Sequence, residues 1–291
     1  MMALAFWNVY KGKGKGGAIS TAIVDLAEAI CVDKKLSGKD QEVLLCLGEP
    51  GKIDFQAILA ALQARNTGKT WWLDQTHRRF AILSTLPQSE WDPEDTLHAG
   101  SFPSSLVRTT SGKPIQYEIW FTHLSTPAYS WHPNSLNNEE ARDLRVGVET
   151  REQNKLHKRS VVIGDFNMEP FSQSMTTPQY MNATPCRTLA ATNVKIARRK
   201  SEIRYFFNPM WTLLGSWQAN RQPGSFYRND ATASVNWHVI DQVIVRPELI
   251  GAVYSGTPMI LANAGMTPLT TREGAIASIS DHLPVLVTLD I

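Results

Sequence analysis

The segment at residues 164–167, Gly-Asp-Phe-Asn, carries a carboxylate and a carboxamide two residues apart. It follows the apolar run 161–163, which is typical of a strand covered on both faces. Side chains two residues apart on an extended chain point to the same side, so Asp165 and Asn167 are predicted to face one target. The alternative is an ordinary strand end at which Asp and Asn form an Asx-type turn.

Other polar residues also fall at or near the ends of predicted apolar strands: Asn8, Glu49, His123, Asp281 and His282. Asp241 lies inside the apolar segment 237–245 and needs a partner there, because an unpaired buried charge is costly. A histidine suits that role, since a carboxylate behind it sets the tautomer and raises its basicity. Each residue alone also has an ordinary explanation, as a turn cap, a loop acid or a structural histidine.

The elements that must position these residues follow from apolar periodicity. Short apolar runs predict strands, and an apolar face at helical spacing predicts helices. Residues 85–114 are expected to form short strands and loops, and 182–230 give no clear assignment. The predicted strands are 3–9, 42–47, 80–84, 117–122, 160–163, 237–245 and 283–289, and the predicted helices are 18–32, 53–64, 138–157 with Asn137 as N-cap, and a short one within 170–180. Because helices fall between strands, we expect one α/β domain over 1–291.

Composition limits the class of protein. The chain has 291 residues, 43% of them hydrophobic and 19% charged, as in ordinary globular proteins with an ample core. Three widely spaced cysteines favour neither a disulfide framework nor a zinc site. Without a charged leader or an apolar run of about 18 residues, a cytoplasmic protein with no membrane contact is expected.

The net charge of +2 tolerates an anionic partner without requiring one. Basic residues cluster at 11–15, 78–79 and 198–200, either as a phosphate-attracting rim or as ordinary solvated surface. The glycine-rich loop around the first cluster lacks the spacing of a P-loop.

Taken together and in order, these motifs resemble the endonuclease/exonuclease/phosphatase superfamily, the deoxyribonuclease-I-like fold. The resemblance covers nearly the whole chain, from residue 6 to residue 290. Gly48 departs from the pattern, because a glutamine commonly precedes the family's glutamate. The motifs that carry it are Phe6-Trp7-Asn8, Leu47-Gly48-Glu49, Thr122-His123, Gly164-Asp165-Phe166-Asn167, Trp237 to Asp241, and Ser280-Asp281-His282.

The resemblance implies a four-layered α/β sandwich with two mixed sheets packed face to face and helices outside. It also implies metal-dependent cleavage of a phosphate ester. Glu49 would bind the cation, helped by Asn8 and Asp281; Mg²⁺ is expected, with Mn²⁺ as the alternative. Asp165 and Asn167 would hold the attacking water and the scissile phosphate.

The same resemblance gives His282, backed by Asp241, the role of general base or phosphate-orienting group. The family also permits Asp165 as the base, so both assignments stay open. His123 would contact the phosphate from the other side and assist the leaving group. Asn236 would be a polar phosphate-binding residue.

Three functions follow from this resemblance. The first is a nuclease that cuts DNA or RNA, favoured by the basic clusters and by aromatic residues that could stack on bases: Trp71, Trp72, Trp131 and Tyr227. The second is a phosphatase or phosphodiesterase acting on inositol phosphates, lipid head groups or nucleotides. The third is a non-catalytic nucleic-acid-binding module, which the complete set of acids and histidines disfavours.

Overall fold

The computed structural model describes most of the chain in two compact units. Unit 1 comprises Met1–Pro87, Gly215–Asp241 and Val253–Ile291, and unit 2 comprises Gln88–Leu214 and Gln242–Ala252. The residues described are 1–9, 16–32, 41–65, 67–94, 100–110, 112–126, 135–192, 195–196, 202–215, 222–229, 235–255, 257–271, 274–276 and 278–291. The basic clusters at 11–15 and 198–200 and Trp131 lie outside these residues. The expectation of one domain stays a prediction.

Helices and strands alternate in the described parts of residues 1–74 and 113–196, whereas strands dominate elsewhere. The helices are α1 (Gly16–Val32), α2 (Phe55–Ala64), α3 (Ser135–Asn154), α4 (Gln173–Thr176) and α5 (Arg187–Ala191), with 3₁₀ turns at Pro209–Leu213 and Pro247–Leu249. The strands are β1 (Met2–Asn8), β2 (Glu42–Gly48), β3 (Trp72–Asp74), β4 (Phe80–Ser84), β5 (Trp91–Pro93), β6 (Ser101–Thr110), β7 (Lys113–His123), β8 (Ser160–Asp165), β9 (Ala183–Thr184), β10 (Lys195–Ile196), β11 (Glu202–Ile203), β12 (Phe206–Phe207), β13 (Phe226–Tyr227), β14 (Trp237–His238), β15 (Asp241–Val245), β16 (Met259–Ile260), β17 (Asn263–Ala264), β18 (Thr267–Pro268) and β19 (Val285–Leu289).

Unit 1 is built on a six-stranded mixed sheet in the order β16-β19-β1-β2-β4-β3. Its centre is the parallel pair β1 and β2, and the pairs β1–β19 and β2–β4 on either side are antiparallel. All seven residues of β1 are buried, in agreement with a sequence that is apolar from Met2 to Trp7. The side chains of Ile19, Ile23 and Leu26 on α1 join the same core cluster as Ala3, Ala5 and Trp7 of β1.

Unit 2 is built on a seven-stranded mixed sheet in the order β5-β6-β7-β8-β15-β12-β9. Its centre again contains a parallel pair, β7 and β8. Ala141, Leu144 and Val148 recur at helical spacing on α3 and pack in one cluster with Trp120 of β7 and Val162 of β8. The α/β class and the two mixed sheets predicted from sequence are confirmed.

Three element predictions were wrong in detail. The segment 237–245 is not one strand: β14 pairs with β13, whereas β15 belongs to the large sheet of unit 2. Within 85–114, β6 is ten residues long, because its weak strand formers pair along their whole length with β7. Asn137 is not an N-cap but a buried residue inside α3, where its Nδ2 donates to Ser125 O at 2.6 Å.

One aromatic assignment also fails. Trp71 was expected to be exposed enough to stack on bases, but only 1% of it is exposed and it packs in the core of unit 1. Trp72, the next residue, is 39% exposed. Side chains alternate along a strand, so neighbouring tryptophans meet opposite environments and sequence composition does not distinguish them.

The middle of β7 contributes Glu118 to a buried ionic cluster in unit 2. Glu118 is fully buried and pairs with Arg151 and with Lys155, whose Nζ lies 3.1 Å from Oε1. Burial alone would raise the pKa of Glu118, but contact with His157 and the hydrogen bond and charge of Arg151 outweigh it and hold the pKa below its usual range. Arg151 also pairs with Glu94, and the hydrogen bond from Arg151 is the main cause of the lowered pKa of Glu94.

We predict that Glu118→Gln destabilises the protein by about 3 kcal/mol at pH 7, because it leaves two cations beside a neutral amide. The folded pKa of Glu118 is depressed, so its contribution is complete above the unfolded value of about 4.3 and is lost as pH falls through the folded value. Urea unfolding should therefore show a gap between wild type and variant that narrows toward pH 3.

The matched control is Glu90→Gln. Glu90 Oε2 lies 2.6 Å from Arg108 Nη1, but its side chain is 39% exposed, so its loss should cost less than about 1 kcal/mol. A gap for Glu118→Gln that is equally small, or that does not change with pH, would contradict this account.

Candidate active site

The carboxyl ends of the parallel pair in unit 1 bring Asn8 and Glu49 together. Asn8 is opposite Gly48 in the β1–β2 register, and Val9 N donates to Gly48 O at 2.9 Å. Glu49 follows directly and its backbone N–H donates to Arg79 O at 2.9 Å. Gly48 leaves no room for a larger residue without displacing Phe6, whose Cζ would lie 2.9 Å from an added Cβ.

Glu49 has a backbone conformation that is costly for its residue type. Its φ is +50°, in the left-handed region where glycine is the usual residue. Residues held there cost about 1–3 kcal/mol each and concentrate at functional sites. A glutamate at a strand end in this conformation therefore points to a function for its carboxylate.

The segment Ser280-Asp281-His282 is fastened to the same end of β1. Ser280 Oγ donates to Asn8 O at 2.8 Å and accepts from His282 N at 3.0 Å. Trp7 Nε1 donates to His282 O at 2.9 Å. These contacts link residues about 275 positions apart in sequence and hold the backbone of the segment in place.

His282 and Asp241 form the pair predicted for the buried acid. His282 Nδ1 and Asp241 Oδ2 are 2.9 Å apart; His282 is 6% exposed and Asp241 is fully buried. With Nδ1 donating to the carboxylate, Nε2 carries the lone pair and can accept a proton. The Phe226 ring packs against His282 with centroids 4.6 Å apart and limits its rotation.

Ser225 explains why the strand segment breaks before Asp241. Its Oγ accepts from Asp241 N at 3.0 Å, in the place of a backbone ladder partner. Ser225 N donates to His238 O at 2.8 Å, and neighbouring Gly224 lies so close that an added Cβ would be 2.6 Å from that oxygen. Ser225 and Phe226 therefore support the candidate His282–Asp241 pair, and the sequence reasoning did not identify either of them.

Unit 2 repeats the arrangement at the carboxyl ends of β7 and β8. His123 and Asp165 are register partners, and their Nε2 and Oδ2 atoms are 3.8 Å apart. Both are at least 95% buried, at 5% and 1% exposure. Gly164 permits this close pairing, because its φ is +151° and an added Cβ would lie 2.0 Å from Thr122 O.

Asn167 reaches its position by a turn rather than by strand alternation. The strand ends at Asp165, whose Oδ1 accepts from Asn167 N at 2.8 Å, so the Asx-type turn is present. Asn167 has φ +51° and donates from Nδ2 to Leu124 O at 2.8 Å. The same-face argument from sequence was therefore wrong in its geometry, because Asn167 lies beyond the strand.

A buried amide in unit 2 supports this turn and was also missed from sequence. Gln242 Nε2 donates to Met168 O, in the residue after Asn167, and Gln242 Oε1 accepts from Asn208 Nδ2 at 2.8 Å. Asn208 in turn caps the 3₁₀ turn through Met210 N. The only signal in the sequence is an amide in the middle of an apolar strand, which requires partners.

In unit 1, the structure thus gathers Asn8, Glu49, Asp281 and the His282–Asp241 pair around the end of β1. Asn236 precedes β14, where its carbonyl accepts from Arg228 N at 2.8 Å. The structure describes this backbone contact, and a phosphate-binding role for Asn236 stays a prediction.

A hard divalent cation fits the donors in unit 1. Asn8, Glu49 and Asp281 offer only oxygen ligands of the kind that Mg²⁺ prefers. Asp281 Oδ1 is buried and accepts no hydrogen bond from any described residue, which leaves a carboxylate oxygen available to a cation. The oxygen ligands and this buried acceptor therefore agree with the expectation of a metal at Glu49, Asn8 and Asp281.

Known proteins resemble this chain in sequence pattern and in fold. The model of the Endonuclease/Exonuclease/phosphatase family matches residues 5–282, in both units. No curated protein sequence matches the chain significantly. None of the described helices has the length and apolar character needed to cross a membrane.

Three solved structures share the fold at low identity. The catalytic domain of human Nocturnin, with bound sulfate, has a TM-score of 0.54 at 15% identity, over 98% of this chain and 93% of that one. D. rerio TDP2 complexed with a single-strand DNA product has 0.52 at 14%, over 100% and 99%. An AP endonuclease from Archaeoglobus fulgidus has 0.50 at 12%, over 100% of both chains. These similarities show the deoxyribonuclease-I-like fold.

We predict that Glu49→Gly raises the free energy of unfolding by about 1 kcal/mol, because glycine adopts the left-handed backbone without strain. The same variant should lose Mg²⁺ affinity. Leu156→Gly is the matched control: Leu156 has φ +53° and is 92% exposed, so it should gain stability and leave Mg²⁺ binding unchanged.

Urea unfolding and calorimetric Mg²⁺ titration measure the two effects. Equal Mg²⁺ binding by Glu49→Gly and wild type would remove Glu49 from the metal site.

Proposed function

Because the chain belongs to the endonuclease/exonuclease/phosphatase family, whose members hydrolyse phosphate esters, we propose that it is a divalent-metal-dependent nuclease cutting phosphodiester bonds of DNA or RNA. The observation that carries this proposal is the buried pair His282–Asp241, with 2.9 Å between Nδ1 and Oδ2. Such a pair suits proton transfer from water. An AP endonuclease and a TDP2 with a DNA product among the structural relatives favour a nucleic-acid substrate.

His282 is the proposed general base in unit 1. Asp241 holds Nδ1 as the donor, so the proton taken from water goes to Nε2. The buried carboxylate then stabilises the imidazolium that forms. Phe226 and the backbone contacts of the segment 280–282 keep the ring oriented while its charge changes.

Asn8, Glu49 and Asp281 are the proposed metal ligands in the same unit. Mg²⁺, when bound, supplies positive charge that offsets the charge growing on the phosphoryl oxygens. Asp281 directly precedes the proposed base, so one short segment serves both the cation and the proton transfer.

The proposed roles in unit 2 belong to His123, Asp165 and Asn167. His123 would donate a hydrogen bond to a phosphate oxygen and assist the leaving group, and Asp165 would orient the attacking water. Asn167 Nδ2 already donates to Leu124 O, so the side chain is held in one orientation. Asp165 is the alternative general base, and Asn236 would contribute a further polar contact to the phosphate.

We predict Mg²⁺-dependent cleavage of nucleic acid that a chelator stops. His282→Ala and Asp165→Ala should each lower kcat by about 10²–10⁴-fold, the range for a positioned general acid or base. Activity is measured on plasmid and on single-stranded DNA and RNA. Asp143→Asn is the control, since that exposed carboxylate lies on α3 with a side chain 49% exposed.

If the wild-type protein leaves nucleic acid intact but releases phosphate from inositol phosphates or nucleotides, the nuclease proposal is wrong. The protein would then be a phosphatase or phosphodiesterase acting on small phosphate esters. The dependence on salt distinguishes a nucleic-acid substrate from a small phosphate ester. KM for a polyanion should rise steeply with ionic strength, and KM for a small ester should rise much less. Undiminished activity in both alanine variants would refute the site.

Asp241→Asn distinguishes the two candidate bases. The carboxamide can donate to Nδ1 and thereby favour the tautomer in which Nε2 carries the proton, so kcat should fall by about 10³-fold if His282 is the base. The acidic limb of the pH–rate profile should change shape in this variant. An unchanged profile with only a small rate loss would shift the assignment to Asp165.

A further inference from the structure

Two buried amide side chains lie behind the turn that presents Asp165 and Asn167 in unit 2. Gln242, in β15, and Asn208, which directly follows β12, are both fully buried. Their hydrogen bonds reach Met168, the residue that follows Asn167 in the chain. Burying an amide is costly unless its donors and acceptors are used, so these two residues are informative about what the turn requires.

A backbone group that can only donate fixes the orientation of both amides. Met210 N donates to Asn208 Oδ1 at 3.0 Å, so Asn208 Nδ2 is turned toward Gln242. Asn208 Nδ2 then donates to Gln242 Oε1 at 2.8 Å, which leaves Gln242 Nε2 to donate to Met168 O. Reversing either amide would place two donors or two acceptors against each other. The chain of hydrogen bonds therefore runs in one direction, from Met210 N to Met168 O.

This chain ends on a turn whose geometry is demanding. Asn167 has φ +51°, and its Nδ2 donates to Leu124 O at 2.8 Å. Asp165 Oδ1 accepts from Asn167 N at 2.8 Å, so the carboxylate and the carboxamide belong to one turn. A left-handed residue persists only where the surrounding contacts exclude other conformations. The hydrogen bond from Gln242 to Met168 O restrains the chain directly after this residue.

An aromatic contact joins the same two segments nearer the surface. The rings of Phe171 and Trp211 are 6.3 Å apart, centroid to centroid, in an edge-to-face arrangement. Trp211 belongs to the 3₁₀ turn that Asn208 caps, and Phe171 lies shortly after Met168 in the chain. Because Phe171 is 55% exposed, we expect the buried amide bonds to restrain the turn more strongly than this ring contact does.

We propose that Gln242, oriented by Asn208, is a positioning residue for the turn that carries Asp165 and Asn167. This inference rests on the proposed nuclease function, in which Asp165 orients the attacking water. Gln242 acts through the carbonyl of Met168. A misplacement of about 1 Å at a reacting group can cost about 10²-fold in rate. Loss of the Gln242 amide should therefore lower kcat far more than it changes KM.

Gln242→Met tests this role, because methionine has a similar length and lacks the amide. Cleavage of a single-stranded oligonucleotide by the full chain with Mg²⁺ is the assay. We expect kcat to fall by about 10–100-fold, as for other residues that orient a catalytic group, with KM largely unchanged.

Gln242→Glu provides a test that a merely structural role would not pass. A protonated glutamic acid can accept from Asn208 and donate to Met168 O, whereas a glutamate places two acceptors against each other. Burial favours the protonated form, which is populated below the pKa of the new carboxyl and lost as pH rises through it. The ratio of the variant kcat to the wild-type kcat should therefore be close to one at low pH and fall as pH rises.

Thr85→Val is the matched control, because it also removes a buried side-chain hydrogen bond with little change of shape. Thr85 Oγ1 accepts from Val43 N at 2.8 Å, near the amino end of β2 and at the opposite end of that strand from Glu49. This variant should keep the kcat and KM of wild type. Melting temperatures show whether each variant is folded, and Gln242→Glu decides the outcome if Gln242→Met does not fold.

An unchanged kcat in Gln242→Met would overturn the positioning role and leave the nuclease function standing. A Gln242→Glu protein that is unfolded even at low pH, or whose kcat ratio does not vary with pH, would also overturn it. If wild type turns over only small phosphate esters, the nuclease function fails. The same kcat comparison on such an ester then still decides whether Gln242 positions the turn.

Discussion

The buried carboxylate of Asp241 imposes the main constraint on the candidate site. A fully buried acid is tolerated only with a partner, and the 2.9 Å contact with His282 provides one. Two contacts of unit 1 support that pair directly: Ser225 Oγ accepts from the backbone N–H of Asp241, and Phe226 packs on the imidazole. Trp7 donates to the carbonyl of His282, so the strand that carries Asn8 also restrains the backbone of the proposed base.

Each unit uses the same device to present polar side chains. Two parallel strands end side by side, β1 with β2 and β7 with β8, so residues from distant parts of the chain become neighbours at one edge of a sheet. In each unit, a residue that follows one of these strands has a left-handed backbone conformation. These residues are Glu49 after β2, with φ +50°, and Asn167 after β8, with φ +51°. A buried sheet can hold such strained residues because its hydrogen bonds and packing leave few alternatives.

The candidate site of unit 1 also has donors that suit a metal ion. Asn8, Glu49 and Asp281 offer oxygen ligands of the kind that a hard cation prefers. Unit 2 gives its site a different support, since Gln242 and Asn208 hold the turn after Asp165 through buried amide hydrogen bonds.

The sequence by itself determined the family, the α/β class and the main strands of both sheets, because long apolar runs and ordered motifs depend on local chemistry. It also indicated that Asp241 requires a histidine partner. It did not reveal the break before Asp241, the length of β6, or the burial of Trp71, which depend on which segments pair across the sheet.

Only the tertiary structure identified Ser225, Phe226 and Gln242 as supports. The physical reason is that hydrogen bonds such as Trp7 to His282 join residues 275 positions apart, and no local pattern records a contact over that separation. The sequence specifies the chemistry of each side chain, whereas the packing of the folded chain determines which side chains are in contact.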